Sequence, residues 1–410
     1  MSRRWLIFAI SSSLFFISQF YRVSNAVIAP LLIRDLSLDT EGLGLISASF
    51  FYAFAFTQIP ISLFLDKIGP RILMTALSAI GIMGALVFSW ADSLALAVVG
   101  RVLLGAGMAC NLMGTFKLLT LWFSPRKFAT LMGVVVAIGT AGNMVATTPL
   151  VVLVENIGWR ASFQFIAAIN FFQILVFYAV VCNPPANAPA NGVSKSSTSM
   201  HAVLANLKLL FRRKDYWIIS FSTLVRYGVL AAFQALWAGP FLMEVMGFSA
   251  IVTGNLILLL NFGMILGAPC LGTLSDRLLR TRKGVVIAGL IGMALTIIIL
   301  TVIPAGTQPT VLASIFFCFG FFNAAGLLMY PHIKEMMPLK MAGVAMTGIN
   351  FFNMIGPAIF LQGLGSLMQA LYPDASRGPE AFNAAFVLCF VCLAIATTLY
   401  FFTAEKRLDR

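Results

Sequence analysis

The sequence predicts an all-α integral membrane protein, with twelve transmembrane helices in two pseudo-symmetric six-helix bundles. Three observations carry that prediction. The chain is 60% hydrophobic and only 10% charged, with a mean hydropathy of +0.96, too little charge to cover a water-facing surface. Continuous apolar runs of spanning length recur from end to end. Two charged segments about 210 residues apart, Ser62-Leu-Phe-Leu-Asp66-Lys67-Ile-Gly69-Pro-Arg71 and Gly272-Thr-Leu-Ser-Asp276-Arg277-Leu-Leu-Arg280-Thr-Arg282, repeat each other between such runs.

The runs cover roughly 5–33, 42–65, 72–90, 94–122, 128–154, 160–181, 216–243, 250–274, 284–303, 310–331, 341–369 and 381–403. They are continuous rather than alternating, so they read as helices, whose backbones are satisfied internally in lipid. The first follows Ser2-Arg3-Arg4, is too long for a signal peptide and lacks a small-residue cleavage site, so it is expected to be retained. Asn183 to Ser199 is polar and rich in Pro and Ser, which suits a flexible linker. The basic stretch after it (Lys208, Arg212, Arg213, Lys214) suits the membrane surface. The expected organisation is an N-terminal bundle over 1–182, a linker over 183–213 and a C-terminal bundle over 214–410. Each repeated charged segment is expected to be a short loop between two spans.

The net charge of +13 follows the positive-inside rule. Arg34, Arg160 and Arg377 are the only basic residues in one alternate set of loops, and four more lie inside spans. The remaining Lys and Arg fall at the termini, in the linker and in the other set of loops. Both termini are therefore expected in the cytoplasm, with the chain in the cell (inner) membrane. The charges are dispersed over several loops and form no single-faced stripe, so the partners expected are the lipid bilayer and a small solute, with no nucleic acid. The chain is expected to act as a monomer.

The halves also match outside the charged segments. Ala29-Pro30-Leu-Leu-Ile resembles Gly239-Pro240-Phe-Leu-Met near the outer end of the first helix of each half. Parallel repeats of this kind are the sequence mark of a rocking transporter. With these residues in view, the whole chain resembles the major facilitator superfamily. The first charged segment matches that family's loop pattern, a Gly followed after three residues by Asp-Arg/Lys-x-Gly-x-Arg, with Ser62 in place of the leading Gly. The second copy keeps Gly272, Asp276 and Arg277 and has Leu279 where a Gly is expected. Arg101-x-x-x-Gly105-x-Gly107 resembles the family's fourth-helix signature.

An Asp at a helix end can bind a neighbouring helix N-terminus and nearby Arg groups, latching one side of a transporter. Asp66, Lys67, Gly69, Arg71, Arg101, Gly272, Asp276 and Arg277 are the gating candidates on this reading. The alternative for the loop residues is that they are ordinary charges of the positive-inside pattern.

Solute recognition should come from charges inside the membrane, where an ionised side chain costs on the order of 3 kcal/mol or more and persists when it faces a cavity or partner. All 14 Asp and Glu fall in loops, at helix ends or at the termini. The buried ionisable residues are four cations: Arg22, Arg101, Lys117 and Arg226. Lys117 is close enough to a helix end to snorkel. At about 1.5 Å per residue, Arg22 sits roughly 27 Å from Arg4 and 18 Å from Arg34, too deep to do so. Tyr21 flanks it, and Gln19 and Asn25 share its helical face. Arg226 leads the second half and is followed by Tyr227, Gly228, Gln234 and Trp237. Two deep arginines without an acidic partner in the spans suit a carboxylate or phosphate.

Arg22 with Pro30 eight residues later, and Arg226-Tyr227-Gly228-Val229-Leu230, resemble the first and seventh helices of the organophosphate:phosphate antiporter branch. That resemblance implies a phosphate bound by paired arginines. The branch's second-helix Lys is replaced here by Gln58, and its fifth-helix His by Gly142 or Asn143. A singly charged, carboxylate-bearing metabolite therefore fits the remaining groups better. Arg22 or Arg226 would take the acid, with Gln58, Gln234, Asn111, Asn143, Asn350 and Asn353 as neutral partners. Each such amide equally suits helix-to-helix bonding.

The only histidines, His201 and His332, lie outside the span interiors, so exchange or facilitated transport is expected over proton coupling. An amino acid or peptide carrier, a polyspecific drug exporter and a non-transporting sensor on the same fold are the alternatives. Gly139-Thr-Ala-Gly142 lacks the Pro of the drug exporters' fifth-helix motif, and the cytoplasmic extensions usual in sensors are short here. Cys389-x-x-Cys392 has no His or further Cys at metal spacing, and neither a phosphate-cradling loop nor a nucleophile constellation occurs. No cofactor, metal or enzyme activity is expected.

Overall fold

The computed structural model describes residues 3–182, 210–337 and 339–405. It is helical throughout, and eleven helices among the described residues are long and apolar enough to cross a membrane, with Thr130–Val145 as a shorter apolar one. Two compact units result: 1–38 with 45–196, and 39–44 with 197–410. Most of the expected linker, 183–209, lies outside the described residues.

The first unit holds α1 (Arg3–Val23), α2 (Asn25–Leu36), most of α3 (Thr40–Ile68), α4 (Pro70–Ser89), α5 (Leu94–Met108), α6 (Asn111–Trp122), α7 (Pro125–Val145) and α8 (Thr148–Val180). Spans one and four are each a pair of helices, broken at Ser24 and at Ala109–Cys110. The fifth span breaks at Ala146–Thr147, and its continuation runs into α8 until Gly158 (φ +77°) turns the chain into the sixth.

The segment Ser62–Ile68 is not loop but the last turns of α3; the break is Gly69 alone, whose φ of +86° suits a residue without a Cβ, and Pro70 then opens α4. In the second copy Leu274–Leu278 is a π-helical turn, and the chain leaves the helix only at Leu279.

The second unit holds α9 (Lys214–Ala232), α10 (Ala250–Thr273), α11 (Arg282–Ile299), α12 (Pro309–Asn323), α13 (Met329–Met336), α14 (Leu339–Leu371) and α15 (Pro379–Tyr400). The seventh span continues beyond α9 through two π-helical turns, Phe233–Trp237 and Phe241–Val245, on either side of Pro240. Pro240 has no N–H to give the carbonyl four residues back, and the wider turns absorb that loss. The tenth span changes from α12 to a 3-10 turn, Ala324–Leu328, before α13.

Helices pack closely where small residues meet backbone. A Cβ on Gly105 would strike the Phe50 carbonyl of α3, one on Gly107 the backbone of Gly81 in α4, and one on Gly142 the Phe16 carbonyl of α1. In the second unit Gly263 and Gly320 seat α10 and α12 on each other in the same manner, and Gly356 seats α14 on Leu224 of α9.

Candidate functional site

In the first unit Arg22 is 7% exposed. Its guanidinium lies 4.8 Å from the Phe54 ring centroid and 5.9 Å from that of Phe51, both on α3, a cation–π setting. Asn25 turns to α3 and donates from Nδ2 to Ser47 Oγ at 2.9 Å. Gln58 is half-buried further along α3. Asn143 on α7 and Gln19 on α1 each keep a buried side-chain oxygen without a hydrogen-bond partner among the described residues. Tyr21 diverges from this group: its ring is fully buried against Phe20 and Phe163. Asn111 is occupied in helix joining, donating to the Leu14 carbonyl at 3.2 Å and accepting from Ser78 at 3.3 Å.

Arg101 is 1% exposed. Its guanidinium lies 4.9 Å from the Phe50 centroid and 5.8 Å from that of Phe88. Nη1 donates to the Tyr21 carbonyl at 3.0 Å, beside the break between α1 and α2. This gating candidate thus touches the backbone next to Arg22 rather than a charged loop.

In the second unit Arg226 is 5% exposed. Nη1 donates to Asn323 Oδ1 at 2.9 Å and to the Asn323 carbonyl at 3.3 Å, and Nη2 donates to Asn353 Oδ1 at 2.9 Å. Gly326 lies against the side chain; a Cβ there would collide with the arginine's Cδ, Nε and Cζ. The guanidinium carbon lies 5.4 Å from the Tyr227 ring centroid, and the Tyr330 hydroxyl donates to Asn350 Oδ1 at 2.9 Å. Asn323, Tyr330 and Gly326 were not singled out from the sequence. A lone Asn in an apolar span followed three residues later by Gly was the available signal. Gln234 donates to Asn261 Oδ1 at 2.8 Å within the π turn, and Trp237 is buried edge-on to Phe382. The structure therefore gathers Arg226, Tyr227, Asn350 and Asn353, and sets Gln234 and Trp237 apart in the seventh-span turn.

The repeated charged segments are used within each unit. Arg71 donates from Nε and Nη2 to the Tyr178 carbonyl at 3.1 and 2.8 Å and lies 4.2 Å from that ring's centroid. Lys283 does the equivalent job in the second unit, donating to the carbonyls of Phe401 and Thr403 at 2.7 and 2.8 Å. A cation at the start of each half's third helix thus caps the orphan carbonyls ending its sixth. Asp276 is paired with Arg282, which also reaches Ser275 at 3.1 Å and Glu335 at 3.4 Å. Lys67 and Arg277 are exposed, and a Cβ on Gly272 would meet no neighbour. The side chain of Asp66 lies outside the described part. Among the described residues there is no cluster of His, Cys, Asp or Glu that could hold a metal.

Several known proteins resemble the chain. It is 25% identical over 374 residues to the "Probable sulfoacetate transporter SauU" of Cupriavidus necator, covering 87% of this chain and 86% of that one. It is 25% identical over 274 residues to the "Gentisate transporter" of Corynebacterium glutamicum, covering 65% and 60%. To the "Probable anion transporter 3, chloroplastic" of Arabidopsis thaliana it is 22% identical over 384 residues, covering 85% and 73%. Its fold matches the crystal structure of a bacterial homologue of the human lysosomal transporter Spinster, with a TM-score of 0.76, 18% identity and 98% and 97% coverage. It matches a D-xylose-proton symporter with a TM-score of 0.77, 13% identity and 99% and 100% coverage. The family model described as "Major Facilitator Superfamily" matches residues 10–361 and 238–409. The chain belongs to the Major Facilitator Superfamily and is a multi-pass membrane transporter, not an enzyme.

Proposed function

We propose that the protein moves a small organic anion, one bearing a carboxylate or sulfonate, by alternating access between its two six-helix halves. The observation that carries this is the setting of its two deep arginines. Arg22 lies over the Phe54 ring and Arg226 is held by the amide oxygens of Asn323 and Asn353, and the planar guanidinium of each has the geometry to take an oxyanion. Relatives named for sulfoacetate, gentisate and anions support that class. The amides of Gln58, Asn143 and Asn350 would contact the solute's neutral groups, and Asp66, Lys67, Arg71, Asp276 and Arg277 would act in gating. With all acidic residues outside the span interiors, exchange is the expected mode: the site reorients once an anion has offset its charge. Both termini would lie in the cytoplasm, in accord with the positive-inside pattern.

The test is a thermal-shift screen of purified protein against sulfoacetate, gentisate, aliphatic carboxylates, phosphate esters, dipeptides and cationic drugs, since a ligand selective for the folded state raises the melting point. Stabilisation by an organic anion that vanishes in Arg22→Ala is the expected result. Stabilisation by cationic drugs alone, or by anions equally in both proteins, overturns the reading. In proteoliposomes, robust counterflow without net uptake is expected of an exchanger.

A further inference from the structure

We propose that Asn323, Asn353 and Gly326 form a charge-preserving socket that positions Arg226 for the solute's anionic group, an inference that rests on the organic-anion reading above. Three observations converge on it.

First, among the described residues every oxygen that receives the guanidinium is neutral: Asn323 Oδ1, the Asn323 carbonyl and Asn353 Oδ1. An unbalanced buried charge is costly, and a carboxylate in place of either amide would offset it. Here the fork is oriented and its charge is left standing. Second, the backbone is shaped around it. The tenth span gives up its α-helix after Asn323 for the 3-10 turn Ala324–Leu328, and with Arg226 in this position there is no room for a Cβ at Gly326. Third, Nε is buried with no hydrogen-bond partner among the described residues. The guanidinium is planar, so fixing Nη1 and Nη2 also fixes the direction of the Nε–H. The amides leave a donor edge unspent and hold it in one plane.

Asn323 and Asn353 are therefore positioning residues, and their neutrality is the working property. An Asp at either position is nearly isosteric with the Asn but adds a negative charge against Arg226, satisfying the arginine and competing with the solute.

The experiment compares wild type, Asn323→Asp, Asn353→Asp and Arg226→Gln in melting temperature and in concentration-dependent uptake, with sulfoacetate, gentisate and inorganic phosphate as probes. Both Asp variants are expected to melt at or above wild type while KM for the anion carried by wild type rises about tenfold or more, as a buried charge pair would impose. A structural tie alone would leave KM unmoved. Wild type that responds to none of the probes overturns the organic-anion reading and the socket with it. An anion response that is lost in Arg226→Gln but keeps its wild-type KM in either folded Asp variant overturns the socket alone. So does failure of both Asp variants to fold, since a carboxylate beside an ionised arginine should stabilise.

Discussion

Arg101 on α5 donates from Nη1 to the main-chain oxygen of Tyr21, the residue before Arg22, at 3.0 Å. One buried cation thus supports the backbone that carries another, at the break where α1 ends and α2 begins. Removing it leaves that carbonyl with the Ser24 hydroxyl at 3.2 Å and empties the space between Phe50 and Phe88. Arg101→Ala should lower stability by about 1.5–3 kcal/mol, the range for a hydrogen bond to a charged group, and should weaken anion binding without touching solute. Thermal melts with and without the stabilising anion would measure both effects. An unchanged ligand response would confine Arg101 to stability.

Arg22→Lys keeps the charge but removes the planar fork that stacks on Phe54. An ammonium makes point contacts and is more strongly hydrated, so KM for the transported anion should rise about tenfold or more, equivalent to at least 1.4 kcal/mol. Initial-rate uptake across a concentration series checks this, and wild-type kinetics would show that charge alone suffices.

Gly105 of the fourth-span signature lies against the Phe50 carbonyl, within the α3–α5 contact that also encloses Arg101. Gly105→Ala should force the two helices apart and cost about 1–3 kcal/mol, the usual penalty for overpacking. The melting temperature in detergent reads the cost directly.

Asp35, in the last turn of α2 and outside the apolar run 5–33, accepts from Trp159 Nε1 at 2.9 Å and from Arg160 Nη1 at 2.8 Å, with Arg34 Nε at 2.9 Å on its other oxygen. The Trp159 bond and then the two guanidiniums hold its carboxyl below the usual carboxylate range. With the folded value depressed, the stabilisation is complete above the unfolded value of about 3.9 and is lost as pH falls through the folded one. Melting temperatures of wild type and Asp35→Asn should therefore differ by a constant amount from neutral pH down to about 5, and converge below about 4. A gap that closes near neutrality would exclude Asp35 as its source.

How much of this was legible in the chain varies by element. The spans were, because hydropathy is a property of contiguous residues and needs no partner. The depth of Arg22 and Arg226 was also legible, since helical rise converts sequence distance into height. The ends of the charged segments were not: Ser62–Ile68 carries the same charge pattern whether it is loop or helix, and the backbone at Gly69 decides where the helix stops. Nor were the π turns around Pro240 foreseen, because a proline fixes which hydrogen bond is lost but not how the neighbouring turns absorb the loss.

The sequence by itself determined a duplicated twelve-span membrane protein whose span interiors carry cations and no acids. Only the tertiary structure decided what those cations touch. Arg226 meets Asn323 and Asn353 at separations of 97 and 127 residues, and Arg101 meets Tyr21 across 80. Such pairings depend on how each helix is rotated about its axis and how closely small residues let it approach its neighbours, and no local pattern of residues encodes that rotation. It emerges when the faces pack.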